Sequence, residues 1–110
     1  MPLTEKQIVD LVRQWTVRTS EAAEEVLTDG FVYISETERH GRGDFIAAMN
    51  AQAPWHDVRI LGVLIGAAQA ATFFEGVDPT TNLSHRIAWM LDHDGSGIWK
   101  MTAVHGILSG

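Results

Sequence analysis

The last stretch of the chain, Ile98-Trp99-Lys100-Met101-Thr102-Ala103-Val104-His105-Gly106-Ile107-Leu108, constrains the fold most. One alternating set carries Trp99, Met101, Ala103, His105 and Ile107; the other carries Ile98, Lys100, Thr102, Val104 and Leu108. Alternation with period two predicts a sheet strand with two different faces. The first face is apolar except for one titratable group, His105. Such a face suits the floor of an apolar pocket with one proton-handling residue in it.

Upstream of this strand the same period recurs. Strands are expected at about Val58–Ile65, Ala70–Gly76 and His85–Asp92. Gly66-Ala67-Ala68, Asp78-Pro79-Thr80-Thr81-Asn82 and Asp94-Gly95-Ser96-Gly97 supply the turns between them. Before Trp55 the period is helical. Thr4 and Gln7 have capping-box spacing, and Ile8, Leu11, Val12 and Trp15 follow at i, i+3, i+4, i+7. Ser20 is a good N-cap for a second helix, about Glu21–Leu27. Phe31–Glu36 reads as a strand, Thr37–Gly43 as a polar loop, and Asp44–Gln52 as a third helix stopped by Pro54. Helices followed by a run of hairpin-connected strands give an α+β class. A cone-shaped, curved antiparallel sheet wrapped on N-terminal helices is the architecture expected, and its concavity is where a small molecule would sit.

Bulk properties bound the function. A chain of 110 residues with 45% apolar and 20% charged content is expected to be one domain, residues 1–110, with a core of its own. A net charge of −6 without a Lys/Arg run argues against nucleic-acid binding. No apolar run has transmembrane length and the first residues do not read as a leader, so no membrane role and a cytoplasmic location are expected. The absence of cysteine excludes disulfides and thiolate chemistry. No pair of histidines has metal-site spacing, so no metal and no cofactor are expected.

Three segments carry a resemblance: Leu27-Thr28-Asp29-Gly30-Phe31-Val32-Tyr33, Gly41-Arg42-Gly43-Asp44-Phe45-Ile46 and Asp94-Gly95-Ser96-Gly97-Ile98-Trp99-Lys100-Met101. In these the chain resembles the nuclear-transport-factor-2-like superfamily, which includes ketosteroid isomerase and the SnoaL-like polyketide cyclases. The resemblance implies a SnoaL-like domain, an internal pocket and a homodimer formed through the sheet. It does not carry over the isomerase residues. The helix tyrosine falls at Leu11, the base aspartate at Ser35 beside Glu36, and the protonated aspartate near Ala88. The Arg and Asp groups of the limonene-epoxide-hydrolase relatives have no match either.

What remains is a set of candidates drawn from this chain's own residues. His105 is the candidate general base, because imidazole titrates near neutral pH and burial favours its proton-accepting form. Tyr33, on the strand face of Phe31 and Ser35, is the candidate hydrogen-bond donor. Trp15, Phe74, Trp89 and Met101 are expected to form an apolar ligand wall. His85 joins them if its strand face points inward, and the residues leave that face undecided. His85, His105 and Tyr33 together would resemble the scytalone-dehydratase branch of the superfamily. Two functions stand at this point. One is a pocket protein for a small, largely apolar ligand, with cofactor-free isomerase, cyclase or dehydratase chemistry if it is an enzyme. The other is a non-catalytic ligand-binding or dimerisation module. Partner recognition through the loop Thr37–Gly43 is a third.

Overall fold

The computed structural model describes residues 2–17 and 20–108. Helix α1 (Glu5–Arg13) begins at the expected capping box. The Thr4 hydroxyl accepts the Gln7 N–H at 3.2 Å, and the Gln7 carboxamide oxygen accepts the Thr4 N–H at 2.9 Å. Ile8, Leu11 and Val12 are its buried face. A 3-10 turn, Gln14–Thr16, extends it and carries Trp15. Helix α2 (Glu21–Val26) is not capped by the Ser20 side chain. Buried Gln14 does that work instead, accepting the Ala23 N–H at 2.9 Å, while the Ser20 hydroxyl accepts from Asn50 at 3.3 Å. A side chain from the preceding turn has displaced the local cap.

Strand β1 (Leu27–Ile34) starts directly after α2, earlier than the sequence pattern suggests. The segment expected as a loop contains a short strand, β2 (Arg39–Gly41), paired antiparallel with Val32–Ile34. Helix α3 (Arg42–Ala51) follows and packs against β1 and β2. Arg42, considered above for partner recognition, donates to the carbonyls of Leu27 (3.1 Å) and Glu24 (3.0 Å), so its guanidinium closes the end of α2. Then come β3 (His56–Ile65), β4 (Gln69–Val77), β5 (Ser84–His93) and β6 (Ile98–Ile107) as a meander.

The six strands form one curved, unclosed sheet in the order β2-β1-β6-β5-β4-β3. It is mixed rather than wholly antiparallel, because β1 runs parallel to β6 with Tyr33 opposite Met101 and Ile34 opposite Thr102. That pairing ends at Thr102, so β6 runs on past β1 with β5 as its remaining sheet neighbour.

Register decides which residues face the helices. The inward rows are Ala70–Leu91–Met101, Thr72–Trp89–Ala103 and Phe74–Ile87–His105. The last row continues to Ile60 on β3. Trp99 does not share the inward face with Met101. Asp92 pairs with Lys100 but His93 pairs with Ile98, so Trp99 is the extra residue of a bulge and lies exposed. Ile98 takes the buried position instead. The outward rows are apolar too: Phe73–Ala88–Val104, and Leu64–Ala71–Met90–Thr102. No helix among the described residues is long and apolar enough to cross a membrane.

Candidate functional site

Below the Met101 row the space between sheet and helices is filled. Toward the other end of the sheet it opens into a cavity of about 390 Å³, within the usual roughly 300–1,000 Å³ of small-ligand sites. Its sheet wall is Phe74, Ile87 and Trp89, with Phe74 and Trp89 edge to face at 4.9 Å. The helical wall is Trp15 from the 3-10 turn and Phe45 from α3, edge to face at 5.8 Å. Trp55 closes one side. Its N–H donates to the Trp15 carbonyl at 2.8 Å, which fixes the α3–β3 connection to the end of α1. Trp55 can lie flat on the sheet because the residue beneath it is Gly76. A Cβ there would stand 3.2 Å from the indole and 3.1 Å from Val58.

Polar groups gather at the mouth. His105, from the row of Phe74 and Ile87, lines the cavity while part of its ring reaches solvent. Its backbone N–H donates to the Glu36 carboxylate at 3.1 Å, so the β1–β2 turn is tied to the strand that carries it. Burial holds the His105 pKa below the ordinary 6.5, against the opposing pull of Glu36. At neutral pH the ring is therefore a free base. Tyr33 lies across the mouth, stacked on His40 at 5.9 Å and in contact with Phe45 at 5.1 Å. Burial raises its pKa above 10.0, although a hydrogen bond with Ser35 pulls the other way, and this keeps the phenol protonated as a donor.

Two buried groups have no hydrogen-bond partner among the described residues. One is the indole N–H of Trp15, a residue that lines the cavity. The other is His85, neither of whose ring nitrogens is bonded. His85 does face inward, which settles the strand face left open by the sequence. It lies outside the cavity lining, with ring centroids 5.4 Å from Trp55 and 6.2 Å from His105. A buried polar group left unbonded costs about 1–3 kcal/mol.

The structure thus brings His105, Tyr33, Trp15, Phe74 and Trp89 into the lining of one cavity and leaves His85 outside that lining, beside His105. Met101 is elsewhere. It is fully buried in the core, beside Tyr33 on the neighbouring strand, and does not line the cavity, because it lies two rows from His105. Sequence reasoning passed over His40, Glu38, Asp78, Gln52 and Trp55, all of which line the cavity. Most sit in turns or at element ends, where no periodicity marks them. The three isomerase positions offer no acid. Leu11 is core, Ser35 accepts the Glu38 N–H within a turn, and Ala88 belongs to an outward row.

No protein-family model matches the sequence, and comparison with curated proteins finds no relative. The solved structures are more informative. A nuclear-transport-factor-2-like protein of unknown function from Cytophaga hutchinsonii is similar at TM-score 0.78 and 7% identity, covering 96% of this chain and 92% of that one. An epoxide hydrolase of limonene-epoxide-hydrolase-like type from M. tuberculosis matches at TM-score 0.74 and 11% identity over 92% and 80%. A protein of ketosteroid-isomerase-like fold from Catenulispora acidiphila, solved with trimethylamine, matches at 0.70 and 16% over 92% and 85%. At these identities the likeness is one of fold. This chain has the nuclear-transport-factor-2-like fold.

Proposed function

We propose that the cavity binds a compact, largely apolar small molecule and that His105 acts on it as a general base. The observation that carries this reading is that the His105 imidazole and the Tyr33 phenol line the same aromatic cavity, with burial favouring the neutral form of each. A substrate with a carbonyl near Tyr33 would receive a hydrogen bond from the phenol. His105 would then take the proton from the adjacent carbon as negative charge moves onto the carbonyl oxygen. Returning the proton elsewhere gives an isomerase or cyclase; losing a hydroxyl from the next carbon gives a dehydratase. No cofactor is needed for any of these. Among proteins of similar fold are an epoxide hydrolase and a protein solved in complex with trimethylamine, which supports a small-molecule reading.

The test is histidine NMR titration with a panel of small apolar ketones and phenols. His105 should titrate below 6.5 and respond to one compound class. Against a substrate of that class, His105→Ala should reduce turnover by roughly 10²–10⁴-fold with the fold retained. Wild-type turnover in that variant would reject the assignment.

The outward rows favour a second element of the reading, a homodimer through the sheet. Leu64 is 67% exposed, Val104 53% and Met90 47%, and the register makes them neighbours around Ala71, Ala88 and Thr102. Charged residues flank this patch, with Glu75 bridging Arg59 and Arg86 at one end. An apolar centre with a polar rim suits a self-complementary two-fold contact. Sedimentation should give a dimer that Met90→Glu converts to monomer. A wild-type monomer at micromolar concentration would exclude it. A dimer that binds none of the panel would favour the non-catalytic module.

A further inference from the structure

The charged groups on the cavity wall are all of one sign. Glu38, in the β1–β2 turn, and Asp78, where β4 ends, both line it, and among the described residues no Lys or Arg does. Of the described cations, those nearest are engaged or face away. Arg42 is held by two carbonyls on α2 and β1, and Arg59 and Arg86 are paired with Glu75 on the outer face. Arg39 alternates with His40, which stacks on Tyr33, and so points to the opposite side of β2. His105, kept neutral by burial, adds no positive charge at pH 7. His40 lies 3.4 Å from Glu38, and Asp78 accepts the Thr80 N–H at 2.8 Å, so each carboxylate is oriented by a neighbour.

Behind these carboxylates the wall is aromatic. Trp15, Tyr33, Phe45, Trp55, Phe74 and Trp89 surround the space. Ring faces carry negative charge density and attract a desolvated cation. An anionic ligand meets two like charges here and, among the described residues, no counter-charge. A neutral one gains nothing from Glu38 or Asp78. We propose that the ligand of this cavity is a compact organic cation, an apolar body bearing a protonated or quaternary amine held between the aromatic wall and the Glu38 and Asp78 carboxylates. This rests on the pocket reading above and narrows it to a chemical class.

The test compares three probes of one shape on the intact chain: choline, its neutral carbon isostere 3,3-dimethyl-1-butanol, and 3,3-dimethylbutyrate. Tryptophan fluorescence and calorimetry report binding, since Trp15, Trp55 and Trp89 line the cavity. Choline should bind at least about tenfold tighter than the alcohol, and the carboxylate weakest. Glu38→Gln should weaken choline severalfold and leave the alcohol unchanged, which narrows the ratio. Asp78→Asn should act in the same direction, and the wild-type ratio decides the matter if that variant disturbs its loop. Equal or tighter binding of the alcohol, or preference for the carboxylate, would overturn the cation proposal while leaving a ligand pocket standing. If neither these probes nor the ketones and phenols register, the pocket reading fails with it.

Discussion

Two histidines on the inner face of β5 stand in opposite circumstances. His93, at the filled end of the sheet, is buried with both ring nitrogens bonded: Nε2 donates to the Gly66 carbonyl at 2.9 Å, and Nδ1 accepts the Gly95 N–H at 3.0 Å. His85, beside the cavity, has neither nitrogen bonded. The first joins the β3–β4 turn to the β5–β6 turn, where Gly95 at φ 104° adopts a conformation natural to glycine. The second adds nothing to the fold that a hydrocarbon ring would not. One end of this inner face is built for stability, and the other retains polar atoms that the described residues do not bond.

The contrast yields predictions of decreasing size. His93→Ala removes two buried hydrogen bonds and leaves the Gly66 carbonyl and Gly95 N–H unsatisfied, at about 2–4 kcal/mol in denaturant unfolding. A loss below about 1 kcal/mol would mean the two turns do not depend on it. His85→Phe, which fills similar space without polar atoms, should stay within about 1 kcal/mol of wild type or exceed it. A large loss there would erase the distinction between the two ends. Trp15→Phe keeps a ring on the wall and removes its N–H, so stability should hardly change. A loss above about 1 kcal/mol in denaturant unfolding would mean that the buried N–H has a partner after all.

The smallest effect concerns pH. Burial lowers the His105 pKa and the Glu36 charge opposes it, so Glu36→Gln should move the titration lower still. Because the folded pKa lies below the unfolded one, the unfolded chain binds more protons between the two values. The His105 contribution to stability therefore rises with pH through that window, below about 6.5. NMR titration of both proteins checks the direction; an upward move would contradict the assigned cause.

Where side chains alternated over several residues, the fold was legible before any coordinates. The four-strand meander, the Thr4–Gln7 start of α1 and the inward aim of His105 all follow from spacing. What escaped has physical reasons. Three residues of β2 are too few to show a period, and they acquire their partner only because β1 bends back to them. The bulge at Trp99 inserts one residue and shifts the phase of alternation, so Trp99 was placed on the wrong face. Met101 was assigned to the correct face but to the filled end, since alternation encodes side and not depth along the sheet. Glu38 and Asp78 sit in turns, where position is set by chain reversal rather than by pattern.

The overrun of β6 past β1 carries a hazard that Glu36 answers. From Ala103 onward that strand presents one side without a sheet partner, a template on which a foreign chain could extend the sheet. The Glu36 carboxylate occupies the His105 N–H on that side and places a negative charge where an incoming backbone would have to dock. The residue that tunes the candidate base is thereby also a gatekeeper against edge-to-edge aggregation.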